Sequence, residues 1–286
     1  MNRFVYLLAA VGLFTLSAKA QILPAYSMEY GDTLRTYSMF IPEGIGKNAP
    51  LIVYTHGYST KPANRVRRDL NEAAAEYGFV VCYPDGAPDS RGKDGWNVGY
   101  PSQHTMTVDE NDFFAKLLDE VCGRFGVSRS NVFLAGMSNG GDLCYQMAYT
   151  RPDLFKAYAS VAGLTFEHVY HNEHLTIPVP FLEIHGTADK ISMWQGDHAN
   201  AGGWGPYIPV LLAVAAVAAN NRCTTMTTDT IPSRSERLVT RYTYSGAPSG
   251  ADAVLYRIEG GAHRWGTADV NTSDIICRFF SRYLDR

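Results

Sequence analysis

One serine stands between glycines at a point where the character of the chain changes, in the segment FLAGMSNGGDLCYQMAY of residues 133–149. Residues 136–140 (GMSNG) match the pattern G-x-S-x-G, with β-forming residues before them and helix-compatible residues after them. A tight strand-to-helix turn of this kind holds its serine in a strained conformation and points the hydroxyl away from the sheet. The segment predicts Ser138 as a nucleophile, with the amide of Asn139 placed to donate to an oxyanion.

A serine hydroxyl is a weak nucleophile, so a base and an acid that orients the base should follow it in the chain. Asp189 lies in a loop after a predicted strand at residues 181–184, and His263 lies in a loop after a predicted strand at residues 253–258. The order Ser138, Asp189, His263 is that of the α/β-hydrolases. We therefore expect these three side chains to form a catalytic triad.

Two other residues near Asp189 compete for these roles. Asp197 lies a few residues further along the same loop and is the alternative acid. His185 could act as a base, but it ends the strand that presents Asp189, and we expect it to pack against or orient that loop. Asp142 is too close to the serine on the following helix to reach behind the histidine.

The second oxyanion donor should come from the loop that follows a predicted strand at residues 51–54. This loop reads His56-Gly57-Tyr58, and Gly57 allows the backbone to approach closely. The amide of Tyr58 is the expected donor. We expect His56 to brace the loop rather than to act in catalysis.

All four tryptophans, Trp96, Trp194, Trp204 and Trp265, fall in predicted loops. Trp265 lies two residues beyond the proposed base, and Trp194 and Trp204 follow the proposed acid. A tryptophan at a cleft mouth offers a rigid surface on which a phenolic acyl group or a sugar ring can stack. We therefore expect these residues to bind substrate in an aromatic-lined cleft, the alternative being that each ring anchors its own loop.

No cofactor and no metal site are expected. The histidines of the segment EHVYHNEH, His168, His171 and His174, do not have H-E-x-x-H spacing. The five cysteines have no C-x-x-C spacing either, so neither a zinc nor a redox motif is supported.

The elements that must position these residues alternate between strand and helix. Apolar and β-branched runs occupy residues 35–41, 51–54, 79–83, 131–135, 157–161, 180–184 and 253–258. The clearest helical pattern spans residues 107–125, with Thr107 and Glu110 as a capping box and Gly126 as the stop. We expect a mostly parallel central sheet with helices on both faces, antiparallel additions at residues 26–41 and 237–258, and a buried helix at residues 208–219.

Length and composition suit one packed domain. The chain has 286 residues, 46% of them hydrophobic, and its formal net charge of -3 gives no reason to expect a nucleic-acid partner. Arg3, an apolar run at residues 5–16 and Ala18-Lys19-Ala20 predict a signal peptide over residues 1–20 and a secreted or periplasmic domain over residues 21–286. No later apolar run reaches the roughly 18 residues of a membrane span, and no obligate protein partner is indicated.

These motifs together resemble those of a family of secreted esterases, which groups feruloyl esterases and acetyl xylan esterases with polyhydroxybutyrate depolymerase-like enzymes. The residues that carry the resemblance are HG at 56–57, PDG at 84–86, GWN at 95–97, GMSNGG at 136–141, HGTAD at 185–189 and GAH at 261–263. The resemblance runs from about Leu34 to the C-terminus and implies an α/β-hydrolase fold, no cofactor and the triad given above. One departure is Tyr58, where the depolymerases often carry cysteine.

The resemblance implies a serine esterase that cleaves feruloyl or acetyl side chains from xylan, so an ester-substituted plant polysaccharide or oligosaccharide is the expected partner. A hydroxyalkanoate polyester is the second candidate substrate. A non-catalytic carbohydrate-binding protein on the same scaffold is less favoured, because all three triad residues are present.

Overall fold

The computed structural model describes residues 25–285. The predicted signal peptide lies outside this part of the chain. None of the helices in residues 25–285 has the length and apolar character needed to cross a membrane.

Ten strands form one sheet, and two further strands of two residues each pair separately. The strands are β1 Tyr26–Tyr30, β2 Thr33–Phe40, β3 Leu51–Thr55, β4 Val80–Pro84, β5 Ala87–Pro88, β6 Asp94–Gly95, β7 Val132–Met137, β8 Ala157–Val161, β9 Phe181–Gly186, β10 Thr225–Ile231, β11 Val239–Ser245 and β12 Ala253–Ile258. The order in the large sheet is β1-β2-β4-β3-β7-β8-β9-β12-β11-β10, while β5 pairs with β6. The six strands from β4 to β12 in this order run parallel, and the outer strands run antiparallel.

Helices cover both faces of the sheet, as predicted. They are α1 Arg68–Tyr77, α2 Glu110–Phe125, α3 Asn139–Thr150, α4 Glu167–Asn172, α5 Val210–Asn220 and α6 Thr272–Ser281. Apolar residues of α2, α3, α4 and α5 pack in a core on one face, and those of α1 and α6 pack in a second core on the other face. Strands β3, β4, β8 and β9 are buried along their whole length, which explains their continuous apolar sequences.

Two helix predictions need correction. Helix α2 begins at Glu110, and its N-cap is Asp109, whose carboxylate accepts hydrogen bonds from the amides of Asn111 and Asp112. The predicted capping box of Thr107 and Glu110 is therefore wrong, although the helix ends at Gly126 in the left-handed conformation, as predicted. The helix at residues 208–219 was predicted to be buried, but the corresponding helix α5 is only half buried.

The antiparallel additions at both sheet edges are confirmed, but the last edge strand was not predicted. Strand β1 pairs with β2, and β11 pairs with β12, within the expected segments. Strand β10 has the sequence TMTTDTI and is exposed along almost its whole length. An edge strand of this kind buries no apolar face, so it has no hydrophobic alternation by which to recognise it.

Candidate active site

Ser138 occupies a strained turn between β7 and α3, with φ 55° and ψ −123°. Positive φ is unfavourable for a residue with a side chain, so the surrounding structure must hold it there. A Cβ atom added to Gly136 would lie 2.1 Å from Gly140 O, and one added to Gly140 would lie 2.1 Å from Thr55 O. The glycines are therefore required because the strand and helix backbones pass in contact on either side of the serine.

Asp189 and His263 meet across two neighbouring loops. Strands β9 and β12 are parallel partners, so their carboxyl ends, and the loops that leave them, lie side by side. Asp189 Oδ2 lies 2.7 Å from His263 Nδ1, and Asp189 Oδ1 accepts hydrogen bonds from the amides of Ile191 (2.8 Å) and Ser192 (2.9 Å). These three contacts fix the carboxylate and leave Nε2 as the free ring nitrogen of His263.

Ser138 and His263 line the same cavity, which has a volume of about 210 Å³. Its other lining residues are Tyr58, Tyr100, Leu164, Ile191, Ser192 and Trp204. In the part of the chain that the structure describes, no hydrogen bond joins Ser138 Oγ to His263 Nε2. Contacts of this type are often long before a substrate binds.

The loop after β3 passes directly beside the serine. A Cβ atom on Gly57 would lie 3.3 Å from Ser138 Cβ, so a larger residue would crowd the turn. The next residue, Tyr58, lines the cavity. The amide of Asn139 is the first of α3, where no preceding helical turn supplies a carbonyl acceptor.

His56 braces the loop after β3. Its Nε2 accepts a hydrogen bond from the amide of Gly86 (3.0 Å), so the neutral ring carries its proton on Nδ1, 2.8 Å from Gly57 O. Burial lowers the pKa of His56 to about 4, which keeps the ring uncharged at neutral pH. The structure thus places His56 as a support, as the sequence indicated.

Of the four predicted substrate-binding tryptophans, the structure brings only Trp204 to the cavity. Its ring packs against Tyr58 and Tyr100, with centroid separations of 5.7 Å and 5.1 Å. The two tyrosine rings form the same wall. Sequence reasoning named Tyr58 for its amide alone and missed Tyr100, which carried no motif.

The other three tryptophans are buried loop anchors, so the prediction that they bind substrate is corrected. Trp96 is fully buried and donates from Nε1 to His56 O (2.9 Å). Trp194 packs against His185, and Trp265 packs edge-on against Tyr54. An indole ring can bury its apolar faces inside the protein while its single N–H forms a hydrogen bond there. The position of a tryptophan in a loop therefore does not reveal whether its ring is buried.

The alternative acid, Asp197, is engaged within its own loop. Its carboxylate accepts hydrogen bonds from the amides of Ala201 (2.9 Å) and Gly202 (2.7 Å). His168 and His171 lie in α4 and His174 just beyond it. Within residues 25–285, no three histidine, cysteine or acidic side chains are grouped as metal ligands would be.

Asp142 forms hydrogen bonds with two residues that line the cavity. This carboxyl group on α3 accepts hydrogen bonds from the Tyr100 hydroxyl (2.5 Å) and from the amide of Leu164 (2.7 Å). Burial raises the pKa of Asp142 to about 8. Asp142, which the sequence analysis set aside as the acid, contacts Tyr100 and Leu164, and no sequence motif indicated these contacts.

The family model described as "Putative esterase" matches residues 32–237 of the chain. This match covers well over half of the sequence and includes Ser138 and Asp189, so the chain belongs to this esterase family.

Relatives and a solved structure agree with this assignment. Acetylxylan esterase A from Aspergillus awamori is 30% identical over 151 residues, which are 50% of this chain and 48% of that protein. Poly(3-hydroxyalkanoate) depolymerase C from Paucimonas lemoignei is 25% identical over 159 residues, which are 55% of this chain and 38% of that protein. The match spans less than half the length of either relative.

The structure of an acetyl xylan esterase from Aspergillus awamori superposes with a TM-score of 0.63 at 16% identity, covering 90% of this chain and 98% of that chain. At this identity the likeness concerns the fold, and it confirms the predicted α/β-hydrolase architecture.

Proposed function

We propose that this protein is a serine esterase in which Ser138 attacks an ester carbonyl, His263 is the base and Asp189 orients the base. The observation that carries the proposal is the 2.7 Å contact between Asp189 and His263 beside a cavity that also exposes the strained Ser138. These residue types can supply the nucleophile, the base and the orienting acid that acyl transfer requires.

The reaction proceeds in two halves. His263 Nε2 takes the proton of Ser138 as the oxygen adds to the carbonyl carbon, and the amides of Tyr58 and Asn139 donate to the oxyanion. The C–O bond to the alcohol then breaks, and the alcohol leaves with the proton from His263. In the second half, His263 removes a proton from water as the water oxygen attacks the acyl carbon. The bond from that carbon to Ser138 Oγ then breaks, the acid leaves, and His263 returns the proton to Ser138.

The preferred substrates are acetyl or feruloyl esters on xylan. The acetyl assignment draws on the acetylxylan esterase relative, and the feruloyl assignment on the sequence motifs together with the wall formed by Tyr58, Tyr100 and Trp204. A cavity of about 210 Å³ exceeds the roughly 150 Å³ that holds a benzene ring in a protein interior. An aryl acyl group is therefore compatible with the available volume.

A hydroxyalkanoate ester is the second candidate, because one relative is named a poly(3-hydroxyalkanoate) depolymerase. The cavity wall of Leu164 and Ile191 is apolar enough for a short aliphatic acyl chain. The predicted signal peptide further indicates that the protein acts outside the cytoplasm.

Hydrolysis of p-nitrophenyl acetate, methyl ferulate and a hydroxybutyrate oligomer, each measured side by side, tests this proposal. The Ser138→Ala protein serves as the blank, and Ser130→Ala, at an exposed serine, serves as the matched control. We expect turnover of at least one ester by the unmodified protein and the control, and none above background by Ser138→Ala. Equal activity in Ser138→Ala would overturn the mechanism.

A further inference from the structure

Two side chains with no solvent exposure lie beside Asp189 in the protein interior. Glu183 and His185 are two residues apart on β9, so they project from the same face of the strand. His185 Nδ1 lies 2.9 Å from Glu183 Oε1, and His185 Nε2 lies 2.8 Å from Ser192 O and 3.7 Å from Asp189 Oδ2. The Glu183–His185 pair therefore contacts both the orienting carboxylate and the loop that fixes it.

The hydrogen-bond partners of His185 require two protons in the pair. Ser192 O is a carbonyl oxygen that only accepts hydrogen bonds, so Nε2 carries a proton. The contact between Nδ1 and Glu183 needs a second proton, on either the ring or the carboxyl group. The nearby Asp189 carboxylate favours the ring, because it attracts positive charge at a distance of 3.7 Å.

The direction of the His185 pKa agrees with a charged ring. Burial alone would lower this pKa, but the hydrogen bond and charge of Glu183, with contributions from Ser192 O and Asp189, raise it above its ordinary value. A buried imidazolium between two carboxylates is a paired charge, which the interior tolerates better than an isolated one.

The neighbouring elements present few charges to the pair. From α3, Asp142 and Tyr145 face it, and the raised pKa of Asp142, about 8, keeps that carboxyl protonated at neutral pH. From β8, the Ser160 hydroxyl faces Glu183. From β12, the Arg257 guanidinium lies on the ring of Trp194, 5.6 Å from its centroid, and this ring covers His185. His185 is thus the buried basic side chain that contacts Asp189 from β9.

We propose that Glu183 and His185 are positioning residues of the active site: Glu183 holds His185 as an imidazolium, which balances the buried charge of Asp189 and fixes the Asp189–Ser192 loop. This proposal rests on the proposed esterase function. The pair touches neither the substrate cavity nor the reacting atoms, and it acts through Asp189.

The charge on His185 should affect the pH dependence of hydrolysis. The imidazolium of His185 and the ring of His263 share Asp189 Oδ2, so the positive charge of the former opposes protonation of the latter. Glu183 lies on the far side of His185 and compensates this effect only in part. Loss of the charge on the pair should therefore move the acid limb of hydrolysis to higher pH.

The variant Glu183→Gln tests this consequence. Its amide group can donate a hydrogen bond to Nδ1 of a neutral His185, while Nε2–H still donates to Ser192 O, so the geometry is kept and the charge is lost. We expect the acid limb of kcat/KM to move to higher pH by about one unit. The matched control is Glu110→Gln, a second buried glutamate, on α2, which should leave the limb in place.

A measurement on the unmodified protein keeps the proposal testable if Glu183→Gln fails to fold. Nitrogen-15 NMR should show both ring nitrogens of His185 protonated at neutral pH. Coincident acid limbs in Glu183→Gln and the unmodified protein, or an unprotonated ring nitrogen on His185 at neutral pH, would overturn the proposal. If the unmodified protein hydrolyses no ester, the proposed function fails. The NMR measurement then still tests the protonation of His185 independently.

Discussion

Nδ1 of His263 lies 2.7 Å from Oδ2 of Asp189, although 74 positions of the chain separate the two residues. The contact exists because β9 and β12 are parallel neighbours and both loops leave from the same end of the sheet. Gly186 and Gly261 allow the loops to pass closely, since a Cβ atom on Gly186 would lie 2.2 Å from Gly261 O. The sheet topology thus converts two distant motifs into one hydrogen-bonded pair.

Replacing Asp189 by Asn should lower kcat for p-nitrophenyl acetate by about 10³- to 10⁴-fold, as the loss of the orienting carboxylate does in a serine protease triad. An amide N–H facing Nδ1 would favour the tautomer of His263 that cannot accept the serine proton. The matched control is Asp197→Asn in the same loop, which should retain kcat within about threefold. A larger loss in Asp197→Asn than in Asp189→Asn would reverse the assignment of the acid.

Replacing Gly140 by Ala should destabilise the protein by about 3 kcal/mol or more, because the new methyl group would collide with the Thr55 backbone. Gly46→Ala, where a Cβ atom meets nothing within 4 Å, is the control and should change stability little. Urea unfolding of both variants gives the free energies. Equal stabilities would contradict the close packing at the serine turn.

Trp204 and Trp265 should respond differently to truncation. Trp204→Ala removes part of the cavity wall and should raise KM for methyl ferulate with a small effect on the unfolding free energy. Trp265→Ala empties a buried position and should cost about 3–5 kcal/mol of stability. The two quantities come from steady-state kinetics and denaturant unfolding, and an unchanged KM in Trp204→Ala would remove this ring from the substrate wall.

Asp142 should make the protein less stable as pH rises. Its pKa is about 8 in the folded protein and near 3.8 when unperturbed, so the folded state binds more protons between these values. The free energy of unfolding therefore loses a contribution from about pH 4 to about pH 8. Asp142→Asn should flatten this dependence and be more stable than the unmodified protein at pH 8, by about 1 kcal/mol or more.

Urea unfolding at a series of pH values measures this dependence, with Asp32→Asn at an exposed position as the control. An unchanged decline of stability in Asp142→Asn would show that the carboxyl group is already ionised in the folded protein.

The residues of the proposed triad could be found from sequence because each carries a local signal. Ser138 is marked by glycines that the backbone contacts require, and Asp189 and His263 follow strands that apolar runs reveal. Trp96, Trp194 and Trp265 were misplaced because burial of a loop ring depends on what packs over it. Tyr100 and Asp142 could not be paired from sequence, since their contact joins a loop to α3 across 42 positions.

In the fold, too, elements with a local sequence signal were predicted and elements without one were not. The buried parallel strands were predicted because their runs are apolar along the whole length, and β10 was missed because it is polar and exposed. The start of α2 was misplaced because Asp109, two residues beyond Thr107, caps the helix. The Glu110 side chain accepts a hydrogen bond from the amide of Asn97 (2.8 Å), which ties a loop to the helix.

Covalent labelling shows which serine of the protein is activated as a nucleophile. The unmodified protein would be treated with an alkyl fluorophosphonate, which reacts with activated serines, and the modified peptide would be identified by mass spectrometry, with His263→Gln treated in parallel. We expect a single adduct on Ser138 in the unmodified protein and strongly reduced labelling in His263→Gln. An adduct on another residue, or labelling of Ser138 that does not depend on His263, would contradict it.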